Sequence, residues 1–393
     1  MRRHYIFFAL LWLILLIGTA RRPYLPAVSP ALESQLIFQE PSNGTTYPTL
    51  ADFWHGRAQF VVDIATTGLP MGESETIIMA NGDWWSYVHA SYQSAGVHDQ
   101  CGDPVPFPGC TVIYRSQDQG QTFALTDPIC QFSCQKCPCN AHKDHTPQQQ
   151  YPRVQYDGEF LWLVYEYLGH AILRRSADGL SWSHPAKVAY SGLWTNNNRC
   201  APWEVIHPHP FSSFLTEYCL AGGPPGIYVE KEQVYIFVGM GQSAGSLGCF
   251  VGTRGDAPAR YKPCRHNPLL TGAPTYGPLD ETGPTTRPYW DFRMLSSAEV
   301  YQINEQYYML YEGIRGPGPN DAGDTQFGLG LARTTAGRID GPWETYPNNP
   351  LLTDLPGNIG LGHADLVIYE GETYLYTSLD GQTRSRLKLI WSK

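Results

Sequence analysis

Charge is scarce in this chain. Only 16% of its 393 residues are Asp, Glu, Lys or Arg, the net charge is −9, and no Lys/Arg run stands out. That argues against nucleic acid as a partner. No long stretch carries a helical hydrophobic period, which excludes a coiled coil. No Gly-rich phosphate loop follows a strand and no nucleophile elbow is present, so two common catalytic signatures are missing. Beyond the N-terminus no segment is apolar enough to span a membrane. What is plentiful is Gly (39), Pro (32) and aromatic residues (13%), the composition of a turn-rich β protein.

The chain opens MRRHYIFFALLWLILLIGTARRPYLP. Arg2 and Arg3 form a basic start, Tyr5 to Ile17 an apolar run, and Gly18, Thr19 and Ala20 a small-residue site, the order of a signal peptide. Arg21 and Arg22 follow at once, so residues 1–22 read as a signal peptide or an N-terminal anchor. Either reading places the body outside the cytoplasm, secreted or held at the outer face of the membrane. The ten cysteines suit that compartment. They fall into the groups Cys101/Cys110, Cys130/Cys134/Cys137/Cys139, Cys200/Cys219 and Cys249/Cys264. Short separations in an exported chain point to disulfides that staple local loops. For the second group a zinc site with His142 or His145 is the alternative, although its spacing is tighter than usual zinc frameworks.

The chain also repeats itself. HNPLLTG (His266 to Gly272) returns as NNPLLTD (Asn348 to Asp354). Five hairpins recur about every seventy residues: 74–91, 151–167, 226–240, 297–313 and 363–378. Asn-Gly, Asp-Gly and Glu-Gly at three of the tips supply the positive φ that tight hairpins need. A third strand and an edge strand follow most hairpins. The expected fold is therefore all-β, a five-bladed β-propeller of four-stranded antiparallel blades, in which radial closure removes long exposed edges. Residues 51–393 form this one domain. Residues 23–50 form an N-terminal segment whose SQLIFQE (Ser34 to Glu40) is the expected closing strand. Two turns, SQDQGQTF (Ser116 to Phe123) and the shorter SADGLSW (Ser176 to Trp182), match the Asp-box pattern and read as structural.

The phrases GPWETYPNNPLL, GLGHADLVIYEGETYLY and SSAEVYQINEQYYMLYEG resemble the five-bladed β-propeller glycosidases, the group of arabinanases, β-xylosidases and fructan hydrolases. The resemblance covers roughly residues 55–393 as blade pattern. It implies carboxyl groups at the starts of the inner strands, since glycosidic cleavage uses one ionised and one protonated carboxyl. Aligning Tyr87, Tyr165, Phe237, Tyr311 and Tyr376 puts Glu75, Arg153, Pro225, Glu299 and Asp365 at those starts. The resemblance implies catalytic roles for Glu75, Glu299 and Asp365, with Glu204 on the loop entering the third blade. Arg153 stands where the second blade should carry an acid; it would hold an ionised carboxylate or bind a substrate carboxylate. His363 matches the last-blade histidine of the axial channel. Trp54, Trp203, Trp290 and Asp291 lie between blades, where rings stack on sugar faces.

The expected function is cleavage of glycosidic bonds in oligo- or polysaccharides, with carbohydrate as the partner and a monomer as the assembly. No cofactor is required, and a structural Ca2+ in the axial channel stays open. Two alternatives stand beside it. One is a carbohydrate-binding propeller without catalysis, favoured by Arg153 and Pro225 at acid positions. The other is a sialidase-like protein, which would need Arg153, Arg287 and Arg293 to converge on a carboxylate.

Overall fold

The computed structural model describes residues 47–99, 102–105, 109–131, 149–167, 170–190, 224–240, 246–255, 261–271, 290–291, 294–314, 327–353 and 361–393. The signal peptide or anchor and SQLIFQE lie outside these residues. No helix among the described residues is long and apolar enough to cross a membrane.

A short helix, α1 (Leu50–Trp54), starts on a reciprocal pair in which Thr49 and Asp52 bond each other's backbone N–H groups. It leads into β1 (Ala58–Ile64). The first blade holds β2 (Ser74–Ile78), β3 (Trp84–Ser91), β4 (Gly109–Ser116) and β5 (Ala124–Asp127). The second holds β6 (Gln150–Tyr156), β7 (Leu161–Tyr167), β8 (His170–Ser176) and β9 (Ala186–Tyr190). In the third, β10 (Gly226–Glu230), β11 (Gln233–Met240) and β12 (Ser246–Thr253) are edged by β13 (Lys262–Pro263) and β14 (Leu270–Thr271). In the fourth, β15 (Met294–Ile303), β16 (Gln306–Ile314) and β17 (Phe327–Thr334) are edged by β18 (Trp343–Thr345) and β19 (Leu352–Thr353). The fifth consists of β20 (Asp365–Tyr369), β21 (Glu372–Thr377), β22 (Ser385–Trp391) and, on its outer edge, β1.

The ring is thus closed by the chain start pairing with the chain end. Phe60 stands opposite Leu389 and Val62 opposite Leu387. This corrects the expected closing strand: AQFVVDI, residues 58–64, takes that place.

All five repeated hairpins are present. Their tips form where backbone can enter the left-handed region: Glu370 and Gly371 at φ 49° and 80°, Asn304 and Glu305 at φ 50° and 63°. The aligned aromatic column is buried throughout, with Tyr87, Tyr165, Phe237, Tyr311 and Tyr376 all at 0% exposure. Its hydroxyls tie blades together. Tyr87 donates to the Gly179 carbonyl of the second blade at 3.0 Å, and Tyr376 to Gly120 of the first at 2.8 Å. The two turns that carry those glycines are built alike: Ser116 and Ser176 hydroxyls each accept from turn N–H groups while Asp118 and Asp178 hold the rest. Five apolar clusters fill the gaps between blades. Ile77, Trp85 and Tyr87 meet Val154, Leu163 and Tyr165, for example.

The duplicated phrase has a local cause. Asn267 and Asn349 each precede a cis proline. Each side-chain amide accepts from a third-strand N–H and donates to the same residue's carbonyl, Cys249 in one case and Leu331 in the other. The amide imitates a missing strand partner. The Leu-Thr that follows then pairs with β12 or β17 as a second edge.

Disulfides join Cys249 to Cys264 and Cys110 to Cys130. The second pairing corrects the grouping of Cys110 with Cys101, and it takes Cys130 out of any zinc cluster. The other cysteines, with His142 and His145, lie outside the described residues.

Candidate active site on the propeller axis

The inner strands β2, β6, β10, β15 and β20 surround the axis, and a polar contact crosses every gap between them. Arg153 reaches the Ser74 carbonyl, the Gln155 side chain the Val229 N–H, and the Ser297 N–H the Pro224 carbonyl. Glu299 accepts from the Leu366 N–H, and Asp365 from the Thr76 N–H. Three of these ten partners, Arg153, Glu299 and Asp365, are ionisable, which makes the axis both the polar core and the candidate site.

Glu75 pairs across from Tyr87 on β2 and Asp365 across from Tyr376 on β20. Arg153 and Glu299 sit one residue off this register because β6 and β15 each carry a bulge, with Tyr151 and Ser297 at φ 58° and 51°. Non-glycine residues in that region cost of order 1–3 kcal/mol and tend to mark functional sites. Among the described residues, the inner strand of the third blade starts without an acid for a steric reason. Gly226 stands opposite Phe237, and a Cβ there would lie 2.0 Å from the Ala298 carbonyl oxygen.

Glu75, Glu299 and Asp365 converge, with one oxygen from each lying within 4.8 Å of the others. They come from neighbouring blades, the first, fourth and fifth. Asp365 is fully engaged by Thr76 N–H and hydroxyl, the latter at 2.7 Å, and by the Ser74 hydroxyl. Glu299 accepts from Leu366 N–H at 3.2 Å. Glu75 alone keeps a solvent-facing side chain, 13% exposed. Arg153, 1% exposed, lies among them. Its Nη1 donates to Glu75 Oε2 at 3.0 Å and to the Ala364 carbonyl at 2.6 Å, and its Nη2 donates to the Ser297 hydroxyl.

Burial pushes the proton affinity of Glu75 and Glu299 upward; Asp365 adds to both shifts and Glu75 to that of Glu299, whereas a hydrogen bond from Glu299 lowers that of Glu75. Arg153 opposes both, most directly at Glu75, so Glu299 is the more strongly raised. Asp365 is also raised by burial, against the pull of Arg384 and the Thr76 bonds. Burial disfavours the Arg153 cation, but Glu75, Glu73 and Glu299 outweigh it and hold the proton more firmly.

A second cluster adjoins the first, and of its members only His363 was singled out from sequence. Glu73, at 0% exposure, accepts from the Ser297 hydroxyl at 2.7 Å and lies 3.5 Å from Arg153. Glu312 accepts from the Ser296 hydroxyl at 2.9 Å and is 3.2 Å from His363 Nε2. Burial works against charge on His363, yet Glu312 and Glu73 prevail and raise its affinity for a proton. Tyr151 lies edge-on to both His363 and His89. A sequence signal existed: Glu73 is two residues before Glu75 on the same side of the chain, and Tyr-Glu recurs at 165–166 and 311–312.

The other expected residues fall elsewhere. Trp54 packs in α1 against Tyr346 and Tyr308, with the Arg333 guanidinium 4.4 Å over its ring. It is a clasp on the ring's flank, away from the axis. Trp290, 9% exposed, fills a slot made by glycines: a Cβ on Gly313, Gly328 or Gly330 would strike its ring. Asp291 is buried beside it. Neither of these two offers a free face to a sugar. Arg153 is committed to protein groups, which removes it as a clamp for a substrate carboxylate. Trp203, Glu204, Arg287 and Arg293 lie outside the described residues.

No family model and no curated protein matches the sequence. Among solved structures the chain is similar to the catalytic domain of a Coprinopsis cinerea GH62 α-L-arabinofuranosidase (12% identity, TM-score 0.46, covering 86% of this chain and 97% of that one). It is similar to a GH43 endo-arabinanase from Bacillus licheniformis (13% identity, TM-score 0.45, covering 84% and 96%). A third is an exo-1,5-α-L-arabinanase from a bovine ruminal metagenomic library (10% identity, TM-score 0.49, covering 84% and 99%). At such identities and scores no chemistry transfers from them to this chain. The five-bladed propeller stands on the five sheets themselves.

Proposed function

We propose that this chain is an exported glycoside hydrolase-like protein that cleaves oligo- or polysaccharides at its axial carboxylates. The observation that carries the reading is the Glu75–Glu299 pair: two adjacent carboxyl groups of unequal proton affinity, one tied to a guanidinium. Glycosidic cleavage calls for that asymmetry. Glu299, the more strongly raised of the two, is the proton donor and acts as the general acid. Glu75, with Arg153 favouring its ionised form, is the partner that meets the sugar.

The separation bears on the route. Carboxyl pairs that hold a water between them stand about 6.5–9.5 Å apart, whereas attacking pairs are nearer about 5 Å. The nearest oxygens of the axial carboxyls lie within 4.8 Å of one another, a closest approach below the former range. In the route this favours, Glu299 gives its proton to the leaving oxygen as the C1–O bond breaks, and Glu75 forms a bond to C1. Water then cleaves that ester, returning a proton to Glu299 and releasing a sugar of retained configuration. The two disulfides support an oxidising compartment, hence export.

A second reading, carbohydrate binding without turnover, is favoured by one observation: Asp365 is wholly engaged by Thr76 and Ser74. The test is a panel of oligosaccharides and aryl glycosides with the parent, Glu75→Gln and Glu299→Gln. Turnover that collapses in both variants supports the hydrolase. Turnover that survives Glu299→Gln moves the acid elsewhere, with Glu204→Gln next. Binding with no turnover on any sugar selects the second reading.

A further inference from the structure

We propose that the axial cation of this propeller is Arg153 itself, and that no divalent metal ion shares the axis with it. The spacing of the donors would suit an ion. Ligand oxygens about 2.3–2.6 Å from Ca2+ stand at most about twice that apart, and the oxygens of Glu75, Glu299 and Asp365 fall within 4.8 Å of one another.

A nitrogen already holds one of these donors, Glu75 Oε2, together with two carbonyls. Nη1 of Arg153 has Glu75 Oε2 at 3.0 Å, the Ser74 carbonyl at 3.3 Å and the Ala364 carbonyl at 2.6 Å. That is a cage of oxygens around a cationic donor, drawn from β2 and from the residue before β20. The neighbouring carboxyl oxygens accept from Thr76 and Ser74 at Asp365 and from the Leu366 N–H at Glu299, and keep lone pairs beyond those bonds. A guanidinium stays charged when buried, unlike an ammonium, so it offers the cage a permanent positive charge. A Ca2+ ion would need the same oxygens and would face that charge at contact distance. The second buried guanidinium leaves the axis to Arg153. Arg384 spends its donors on the carbonyls of Gly72, His363 and Tyr376.

The cage makes a further demand. Without the guanidinium, carboxylate oxygens of Glu75, Glu299 and Asp365 and the carbonyls of Ser74 and Ala364 face one another with no cation among them. Five oxygens of that kind, completed by water, reach the six to eight ligands that Ca2+ takes. Arg153 therefore hides a latent metal site that a neutral side chain would expose.

The experiment uses the full chain as parent, Arg153→Lys and Arg153→Met. Thermal unfolding is followed in EDTA and in millimolar Ca2+, and Tb3+ luminescence is excited through the aromatic residues. The parent should melt at the same temperature in EDTA and in Ca2+, and show no one-site Tb3+ signal. Arg153→Lys should share that indifference. Arg153→Met should melt lower in EDTA, regain several degrees in Ca2+, and show one-site Tb3+ luminescence that Glu75→Gln removes. A parent whose melting point falls in EDTA and recovers with Ca2+, with the recovery lost in Asp365→Asn, would overturn the proposal. So would a folded Arg153→Met that ignores Ca2+. Should Arg153→Met fail to fold, the parent's response to EDTA still decides.

Discussion

Glu75 sits between two demands. Burial and the Asp365 carboxylate push its proton affinity up, to about 7, while Arg153 and a hydrogen bond from Glu299 hold it down. If Glu75 must be ionised to meet the sugar, kcat/KM falls on the acid side with an apparent pKa near that value. In Arg153→Met the opposing cation is gone, so the acid limb moves to higher pH. A pH–rate profile of both proteins checks this; an unmoved acid limb would detach Arg153 from Glu75. Much of this residue-level picture was legible in the sequence. Glu75 and Asp365 pair directly with column tyrosines, so aligning the column located them. Arg153 and Glu299 were found despite bulges that no sequence pattern announced. Glu73 escaped because it precedes its strand, and Glu312 because it lies on the second strand of its hairpin, whereas the resemblance points only to inner-strand starts.

At the scale of elements, the tryptophans between strands were the misleading feature. From sequence, Trp in an irregular stretch reads as an exposed platform. Only packing reveals that Gly313, Gly328 and Gly330 leave a slot for Trp290. Emptying that slot with Trp290→Ala should cost about 3–5 kcal/mol, the usual penalty for a large buried ring. KM for any accepted sugar should stay unchanged in the folded protein. A raised KM with unaltered stability would restore Trp290 to the binding surface. The turn at Gly120 makes a parallel case. With φ at 73°, and a Cβ that would lie 2.1 Å from the Tyr376 hydroxyl, Gly120→Ala should destabilise by more than about 1 kcal/mol. Chemical denaturation measures it, and a neutral result would dissolve the proposed blade-to-blade tie. The hairpins themselves were legible because alternation, turn residues and the aromatic column all agreed on one register.

For the whole molecule, closure was the part hidden from sequence. SQLIFQE and AQFVVDI each carry three consecutive apolar residues between polar ones, and the partner strand β22 lies far along the chain, so no local signal chooses between them. The axis that closure creates has a global consequence for stability. Glu75 and Glu299 bind protons more tightly folded than unfolded, where a glutamate titrates near 4.5. Through the window from about 4.5 to about 7 the folded state therefore carries the extra protons, and stability contributed by these groups falls as pH rises. Glu299→Gln cannot ionise. Its melting temperature relative to the parent should climb as pH rises from 5 to 8, a trend of about this window. A difference that stays flat would mean that Glu299 is ionised in the native protein.

The central claim is that Glu75 and Glu299 form a working acid–base pair on the axis. Its most direct measurement is hydrolysis of the oligosaccharide and aryl-glycoside panel by the parent beside Glu299→Gln, with the anomeric configuration of the first product followed by NMR. The account predicts turnover with retained configuration that falls by a factor of about 10²–10⁴ in the variant, the usual worth of a positioned general acid. Undiminished turnover in a folded Glu299→Gln would contradict it.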